Sequence, residues 1–249
     1  MEISEFSKET ISEIIEGFSE KGHIFTNEKQ FQFQLGKALE QVTEQQVLFE
    51  VLSIDYETTD TKKKKLYTDL VIDFGNNQFV CIELKYKSAE KPTTKTAPLG
   101  YDETVGAFKY NKSFVFPQGA EDEGSYYFLQ DVERLEKLVD GDIPFRFDKN
   151  NHVEKSYAVI MTNSKKYWEG PKKDDAAWSA FQLTEDTSTT NRKRDKMCWK
   201  EGTKHANWPP IKLRGDYFCD WTPYFGAKDV GKDIYDTAYP FQYMIWEII

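Results

Sequence analysis

The chain has 249 residues, a formal net charge of −9, 39% hydrophobic residues and 15% aromatic residues. The aromatic content argues against disorder, and the acidic total argues against a protein that coats nucleic acid by charge alone. No apolar run approaches the roughly 18 residues of a membrane helix, and the N-terminus lacks the basic start and apolar stretch of a secretory signal. We therefore expect a cytoplasmic protein without a membrane partner.

The cysteines and histidines do not form a recognisable site in the sequence. Cys81, Cys198 and Cys219 lie far apart without a CxxC pair, and the three histidines form no HxH or HExxH motif. Neither a disulfide framework nor a zinc knuckle is indicated, and a histidine-based metal site or triad has no local support.

The N-terminal part of the chain predicts two helices and a strand. A helical stripe of apolar residues covers 5–21, and a second covers about 28–42, where Thr26 or Asn27 is a suitable N-cap. The branched residues from Val47 to Ile54 then predict a β-strand.

Residues 66–87 predict a β-hairpin, because the turn signal Gly75-Asn76-Asn77 separates two apolar runs. Its first face is entirely apolar and is predicted to be core, whereas its second face mixes acids, bases and apolar residues. With this loop Asp69 lies directly opposite Glu83, and a loop one residue longer or shorter would shift the partner by one. The first face contains Leu70, Ile72, Phe74, Val80, Ile82, Leu84 and Tyr86; the second contains Tyr67, Asp69, Val71, Asp73, Phe79, Cys81, Glu83, Lys85 and Lys87.

The rest of the chain predicts one helix and three strands, interrupted by irregular insertions. The insertions lie near 88–125, before the helix, and near 163–210, after the first of these strands. The helix covers about 126–139, with Phe128, Val132, Leu135 and Val139 on its apolar face and Glu133, Arg134 and Lys137 outside. Strands are predicted at Tyr157–Met161 and near 211–219 and 240–248. Without repeats or low-complexity linkers, we expect one domain over 1–249 of the α/β class, with α+β as the alternative.

The second face of the hairpin carries the most specific chemistry. Two carboxylates, Asp69 and Glu83, converge there beside Lys85, and such a group suits a hard divalent ion such as Mg²⁺. A bound ion acidifies water and clamps a phosphodiester oxygen, while the lysine orients the water or stabilises charge. The alternative is a half-buried ladder of salt bridges that also includes Asp73 and Lys87.

Several motifs resemble the PD-(D/E)xK nuclease superfamily, which has the restriction-endonuclease-like fold. They are NEKQFQ at Asn27–Gln32, YTDL at Tyr67–Leu70 and IELKYK at Ile82–Lys87. The segment QGAEDEGSYYFLQDVERLE at Gln118–Glu136 is similar to a largely uncharacterised prokaryotic group of that superfamily, with a weaker echo at Leu213–Tyr217. Thr68 departs from the motif, since it replaces the proline of the superfamily name.

The resemblance implies a central mixed sheet flanked by helices and a Mg²⁺- or Mn²⁺-dependent deoxyribonuclease, in restriction or mobile-element defence. Asp69 and Glu83 would be the metal carboxylates and Lys85 the catalytic lysine. Glu28, on the apolar face at a helix start, would complete the site, with Glu50 as its rival. A plain helix-start charge is the alternative for Glu28.

DNA is the expected partner, with RNA left open, and double-strand cleavage by one site per chain favours a homodimer. Basic and polar residues predicted to contact nucleic acid are Lys62, Lys63, Lys64, Lys65, Lys87, Gln118, Arg192, Lys193 and Arg194. Solvated loops are the alternative for the basic runs. Two other functions remain open: a non-catalytic nucleic-acid-binding member of the same fold, and an acidic partner-binding protein.

Overall fold

The computed structural model describes residues 1–21, 23, 25, 27–57, 63–87, 100–102, 107–109, 121–143, 145–147, 150–173, 176–189, 197–224 and 241–249. The helices are α1 (Lys8–Glu20), α2 (Glu28–Thr43), α3 (Glu121–Val139) and α4 (Lys166–Glu169), with 3₁₀ turns at Phe145–Phe147 and Ser179–Phe181. The strands are β1 (Gln46–Glu57), β2 (Lys63–Asp73), β3 (Gln78–Lys87), β4 (Gly100–Asp102), β5 (Ala107–Lys109), β6 (His152–Thr162), β7 (Thr222–Pro223) and β8 (Gln242–Ile248).

Six of these strands form one mixed sheet in the order β1-β2-β3-β6-β8-β7. Strands β3 and β6 are parallel, and the other neighbours are antiparallel. Strands β4 and β5 form a separate two-stranded sheet. The predicted α/β class with a mixed sheet and flanking helices is therefore confirmed.

Both faces of the central strands are buried. On one face, α1 and α2 cover the predicted apolar residues of the hairpin, with Phe31 and Leu35 of α2 in the same cluster as Leu70 and Ile82. On the other face, α3 covers the mixed residues, and its Val132 belongs to the same core as Val71, Phe79 and Cys81. The second face holds apolar side chains because a helix packs on it.

The predicted hairpin register is confirmed. Leu70 pairs with Ile82 and Ile72 with Val80, the alignment that would set Asp69 opposite Glu83 if the pairing continued by one residue. The turn at Gly75-Asn76-Asn77 has positive φ at all three residues, a conformation that glycine and asparagine tolerate best. At the N-terminus of α2, the side chain of Asn27 accepts a hydrogen bond from the Gln30 N–H at 2.9 Å. Thr26, the other predicted cap, lies outside the described residues.

Several predicted boundaries differ from the structure; β1 and β6, for example, extend beyond the predicted Val47–Ile54 and Tyr157–Met161. Helix α3 begins at Glu121, five residues before the predicted start at 126, so its acidic first turn lies within the insertion predicted near 88–125. Lys63, Lys64 and Lys65 precede the hairpin predicted over 66–87, and in the structure they form the beginning of β2.

The predicted strand at 211–219 is wrong, because this segment forms isolated bridges instead of a continuous ladder. Ile211 and Phe218 form only isolated bridges, with Met197 and Ser188 respectively. The buried carboxylate of Glu136 accepts hydrogen bonds from the N–H groups of Arg214 at 3.0 Å and of Gly215 at 2.7 Å. It also accepts one from the Tyr217 hydroxyl at 2.9 Å. In the middle of the segment, a side chain thus satisfies two backbone donors that a strand would bond to its neighbour.

Within the described part of the chain, no helix combines the length and apolar character needed to cross a bilayer.

Gly124 should tolerate substitution poorly, because a Cβ there would collide with the hydroxyl of the buried Tyr167 and lie 3.3 Å from Lys87 Cε. We expect Gly124→Ala to lower the free energy of unfolding by about 1–3 kcal/mol through overpacking. Gly17→Ala is the matched control, since its Cβ meets no atom within 4 Å, and it should raise stability by up to about 1 kcal/mol. Urea denaturation measures both, and equal effects would contradict the close approach of Tyr167 to α3.

Candidate functional site

The site lies where β2 and β3 separate. Their pairing ends at Leu70 and Ile82, one residue before Asp69 and Glu83 would face each other. Beyond that pair, the Leu84 N–H donates to Asp69 Oδ2 at 2.8 Å and the Tyr86 N–H donates to Glu28 Oε2 at 2.9 Å. Two carboxylates therefore take over backbone donors of β3 where its pairing with β2 has ended.

Helix α2 contributes a second side chain to this gap. Gln32, only 3% exposed, donates from Nε2 to the Asp69 carbonyl at 2.6 Å and to Asp69 Oδ1 at 3.4 Å. The same amide donates to Glu50 Oε1 at 2.7 Å. Glu28 and Gln32 lie one helical turn apart, so the first turns of α2 provide both the amide that holds Asp69 and the acid that accepts the Tyr86 N–H.

Helix α3 closes the other side of the site with two charged residues. Lys85 Nζ lies 2.6 Å from Asp131 Oδ2, and Arg134 Nη1 lies 3.1 Å from Asp131 Oδ1. Arg134 also pairs through Nη2 with Glu83, whose side chain is only 5% exposed. The prediction that Arg134 lies outside its helix is wrong: its side chain is 11% exposed, because its charge is neutralised inside the site.

The pKa values reflect this crowding of buried charges. Burial raises the pKa of Asp69 to about 6; the Leu84 N–H and Lys85 oppose this shift, and Glu28 and Asp131 add to it. Burial also raises the pKa of Glu83, against the attraction of Arg134.

The lysine of the site stays protonated. Burial alone would lower the pKa of Lys85, but Asp131 and then Glu28 and Glu83 more than reverse this, and the net pKa lies above its ordinary value. An ammonium group of this kind can stabilise negative charge but cannot act as a base at neutral pH.

Both candidate acids of α2 and β1 lie near Asp69, in different settings. Glu28 is half-buried and interacts electrostatically with Asp69, Lys85 and Lys87. Glu50 lies at the surface, where it pairs with Lys29 and has a lowered pKa: burial would raise it, but hydrogen bonds from Lys29 and Gln32 prevail. The structure therefore brings Glu28 into the buried cluster and leaves Glu50 at its rim.

Only some of the residues predicted to bind nucleic acid lie within the described part of the chain. Lys87 is half-buried beside Glu28, and burial lowers the pKa of its ammonium group. The strand register sets Lys63 opposite Glu57 and Lys65 opposite Asp55, with Lys64 between them. Lys62, Gln118, Arg192, Lys193 and Arg194 lie outside the described residues.

Sequence reasoning gave no role in the site to Gln32, Asp131, Arg134 or Tyr167. Asp131 and Arg134 belong to the motif segment, but their side chains were given no role there. The signal for them was their i,i+3 spacing beside the apolar stripe of the helix. Tyr167 had no signal: its hydroxyl is buried without a hydrogen-bond partner among the described residues, close to Gly124 and within electrostatic range of Glu28.

The donor set suits a hard divalent cation. Buried and half-buried carboxylates outnumber the cations beside them, since Asp69, Glu83 and Asp131 face Lys85 and Arg134. Carboxylate oxygens are the ligands that Mg²⁺ and Mn²⁺ prefer. Within the described ranges no three His, Cys, Asp or Glu residues are already gathered as a ligand set. A metal ion held by Asp69 and Glu83 would therefore draw Glu83 out of its ion pair with Arg134, while Asp69 is held by hydrogen bonds from the Leu84 N–H and Gln32.

Compared with protein-family models, with curated proteins and with solved structures, the chain gives no match to any of the three. The family resemblance rests on the sequence motifs quoted above.

Asp69 should make stability depend on pH in the metal-free protein. Its folded pKa lies above the unfolded value, so the folded protein binds more protons between about pH 4 and 6, and stability falls as the pH rises through that window. We expect Asp69→Asn in EDTA to be about 1–2 kcal/mol more stable than the wild type at pH 8. The difference should disappear near pH 4.

Urea denaturation across this pH range measures the effect, with Glu40→Gln as a control at an exposed carboxylate that pairs with Lys37. The opposite result, a variant that is less stable at pH 8, would mean that Asp69 is stabilised as the partner of Lys85 in a salt-bridge ladder.

Proposed function

We propose that this protein is a metal-dependent nuclease that hydrolyses phosphodiester bonds in DNA. The observation that carries the proposal is the convergence of Asp69, Glu83 and Lys85 at the gap between β2 and β3. Glu83 interacts electrostatically with both Asp69 and Lys85, and a helix-borne acid, Glu28, accepts a hydrogen bond from the same strand β3. The mixed sheet with helices on both faces is compatible with the restriction-endonuclease-like fold that the motifs imply.

Asp69 and Glu83 would hold Mg²⁺ or Mn²⁺. The ion would supply an acidified water and a counter-charge for the phosphate. Asp69 is prepared for this role because Gln32 and the Leu84 N–H hold its carboxylate and carbonyl in place. Its raised pKa indicates a carboxylate whose buried charge is incompletely neutralised by the chain itself.

Lys85 would stabilise the charge that develops on the phosphate oxygens. Asp131, at 2.6 Å from its ammonium group, fixes its direction and keeps it protonated. Electrostatic stabilisation of this kind requires donors that are oriented before the reaction begins. Glu28 would hold the end of β3, which carries both Lys85 and Lys87, by accepting the Tyr86 N–H.

A non-catalytic protein on the same fold is the second candidate, and one observation favours it. Arg134 pairs with Glu83, and Lys85 with Asp131, so the chain partly neutralises its own buried charges without a metal ion. Such a protein would bind nucleic acid or a partner and show no divalent-dependent cleavage.

The isosteric variants Asp69→Asn, Glu83→Gln and Lys85→Met should each reduce cleavage at least about a hundredfold, the scale of losing one electrostatic stabiliser. The measurement is nicking of supercoiled plasmid with Mg²⁺ or Mn²⁺, against EDTA, with single-stranded DNA and RNA as parallel substrates. A variant that cleaves at the wild-type rate would contradict the role assigned to its residue. Absence of cleavage by the wild type would favour the second candidate.

The role of Glu28 can be separated from that of Glu50 by the same assay. We expect Glu28→Gln to lower the rate of cleavage more than Glu50→Gln, because Glu28 belongs to the buried cluster and Glu50 pairs with Lys29 at the surface. Glu40→Gln, on the outer side of α2, is the control. Equal rates for the Glu28 and Glu40 variants would show that Glu28 is only a charge at a helix start.

A further inference from the structure

Arg134 holds an unusual position for an arginine. It lies on the buried side of α3, and its guanidinium reaches two carboxylates, Glu83 on β3 and Asp131 one turn earlier on its own helix. The planar fork of arginine suits such a bridge, which the single ammonium group of lysine cannot make in the same geometry. Its neighbours Glu133 and Lys137 form an ordinary pair at the helix surface, at 2.8 Å.

Glu83 depends on a positive charge beside it. Its side chain is 5% exposed, and a buried carboxylate without a partner is strongly destabilising. Glu83 is also one of the two carboxylates that would hold the metal ion. In the metal-free protein, Arg134 supplies the charge that the ion would supply.

Arg134 would keep one ion pair if its pair with Glu83 were broken. Asp131, at 3.1 Å from Nη1, would still pair with it. The guanidinium therefore keeps a carboxylate partner, Asp131, when it leaves Glu83. If a divalent cation replaces Arg134 at Glu83, both Arg134 and Glu83 still have an opposite charge beside them.

We propose that Arg134 is an internal counter-cation that competes with the metal ion for Glu83, so that the ion binds only by displacing it. The inference rests on the proposed function, since it presumes that Asp69 and Glu83 hold the metal. It adds a residue that sets the metal concentration at which the protein becomes loaded. The protein would keep its buried carboxylates neutralised when divalent cations are scarce.

The test is Mn²⁺ binding by isothermal titration calorimetry, without nucleic acid, to the wild type, Arg134→Met and Lys137→Met. Methionine removes the positive charge and keeps much of the volume of the stem. We expect the dissociation constant for Mn²⁺ to fall at least about tenfold in Arg134→Met, because the ion no longer displaces a buried charge. Lys137→Met removes a cation from the outer side of the same helix and should bind like the wild type.

A second measurement covers the case in which Arg134→Met does not fold without metal. Arg134→Lys keeps the charge but lacks the fork, so it should bind Mn²⁺ more tightly than the wild type and show a larger rise in melting temperature with Mn²⁺. Asp69→Asn in either background should remove the binding, which assigns it to this site.

The outcomes separate the inference from the function on which it rests. Equal or weaker Mn²⁺ binding by the Arg134 variants, beside a wild type that binds, would overturn the competition and leave the metal site standing. No binding by the wild type or by either variant would remove the metal site and the inference together. Binding by a variant alone would support the competition in its strongest form.

Discussion

The organisation of the site depends on the separation of β2 from β3 after the pair Leu70 and Ile82. A strand that leaves its neighbour exposes backbone N–H groups, and buried donors of this kind need acceptors. Asp69 and Glu28 supply them through their carboxylates. The acids are thus held in the gap by the backbone itself, and their charges are brought together there whether or not a substrate is present.

Helix α3 supplies the residues that pair with the charged side chains of β3. Its apolar stripe covers one face of the sheet, and Asp131 and Arg134 on the same side of the helix reach Lys85 and Glu83. Each of these buried charges requires another, so the loss of any one would leave its partner uncompensated. The same helix is tied at its far end by Glu136, which accepts donors from the segment around Gly215. Helix α3 therefore both packs on one face of the sheet and neutralises charges of the site.

The sequence predicted the features that depend on local periodicity. The two N-terminal helices, the hairpin turn and its register follow from apolar spacing and from the conformational freedom of Gly75. The sequence also placed Asp69, Glu83 and Lys85 on one face. It failed where a contact with a distant element determines the position of a side chain. The helical pattern places Arg134 on the outer face of α3, but its partner Glu83 on β3 draws it into the site. The segment predicted as a strand at 211–219 forms only isolated bridges, and Glu136 accepts its donors at Arg214 and Gly215. No local pattern indicates such a contact.

The parallel pair in the middle of the sheet affects the order in which the fold can form. Strands β1, β2 and β3 follow one another along the chain and can associate early, as local hairpins do. Strand β6 is separated from β3 by the whole segment 88–151. Until it is in place, β3 has one open edge with apolar side chains on both faces, which is the kind of surface that invites intermolecular pairing. Completion of the sheet is then a late, non-local step, and interruptions of the chain within 88–151 should favour aggregation over a smaller native fold.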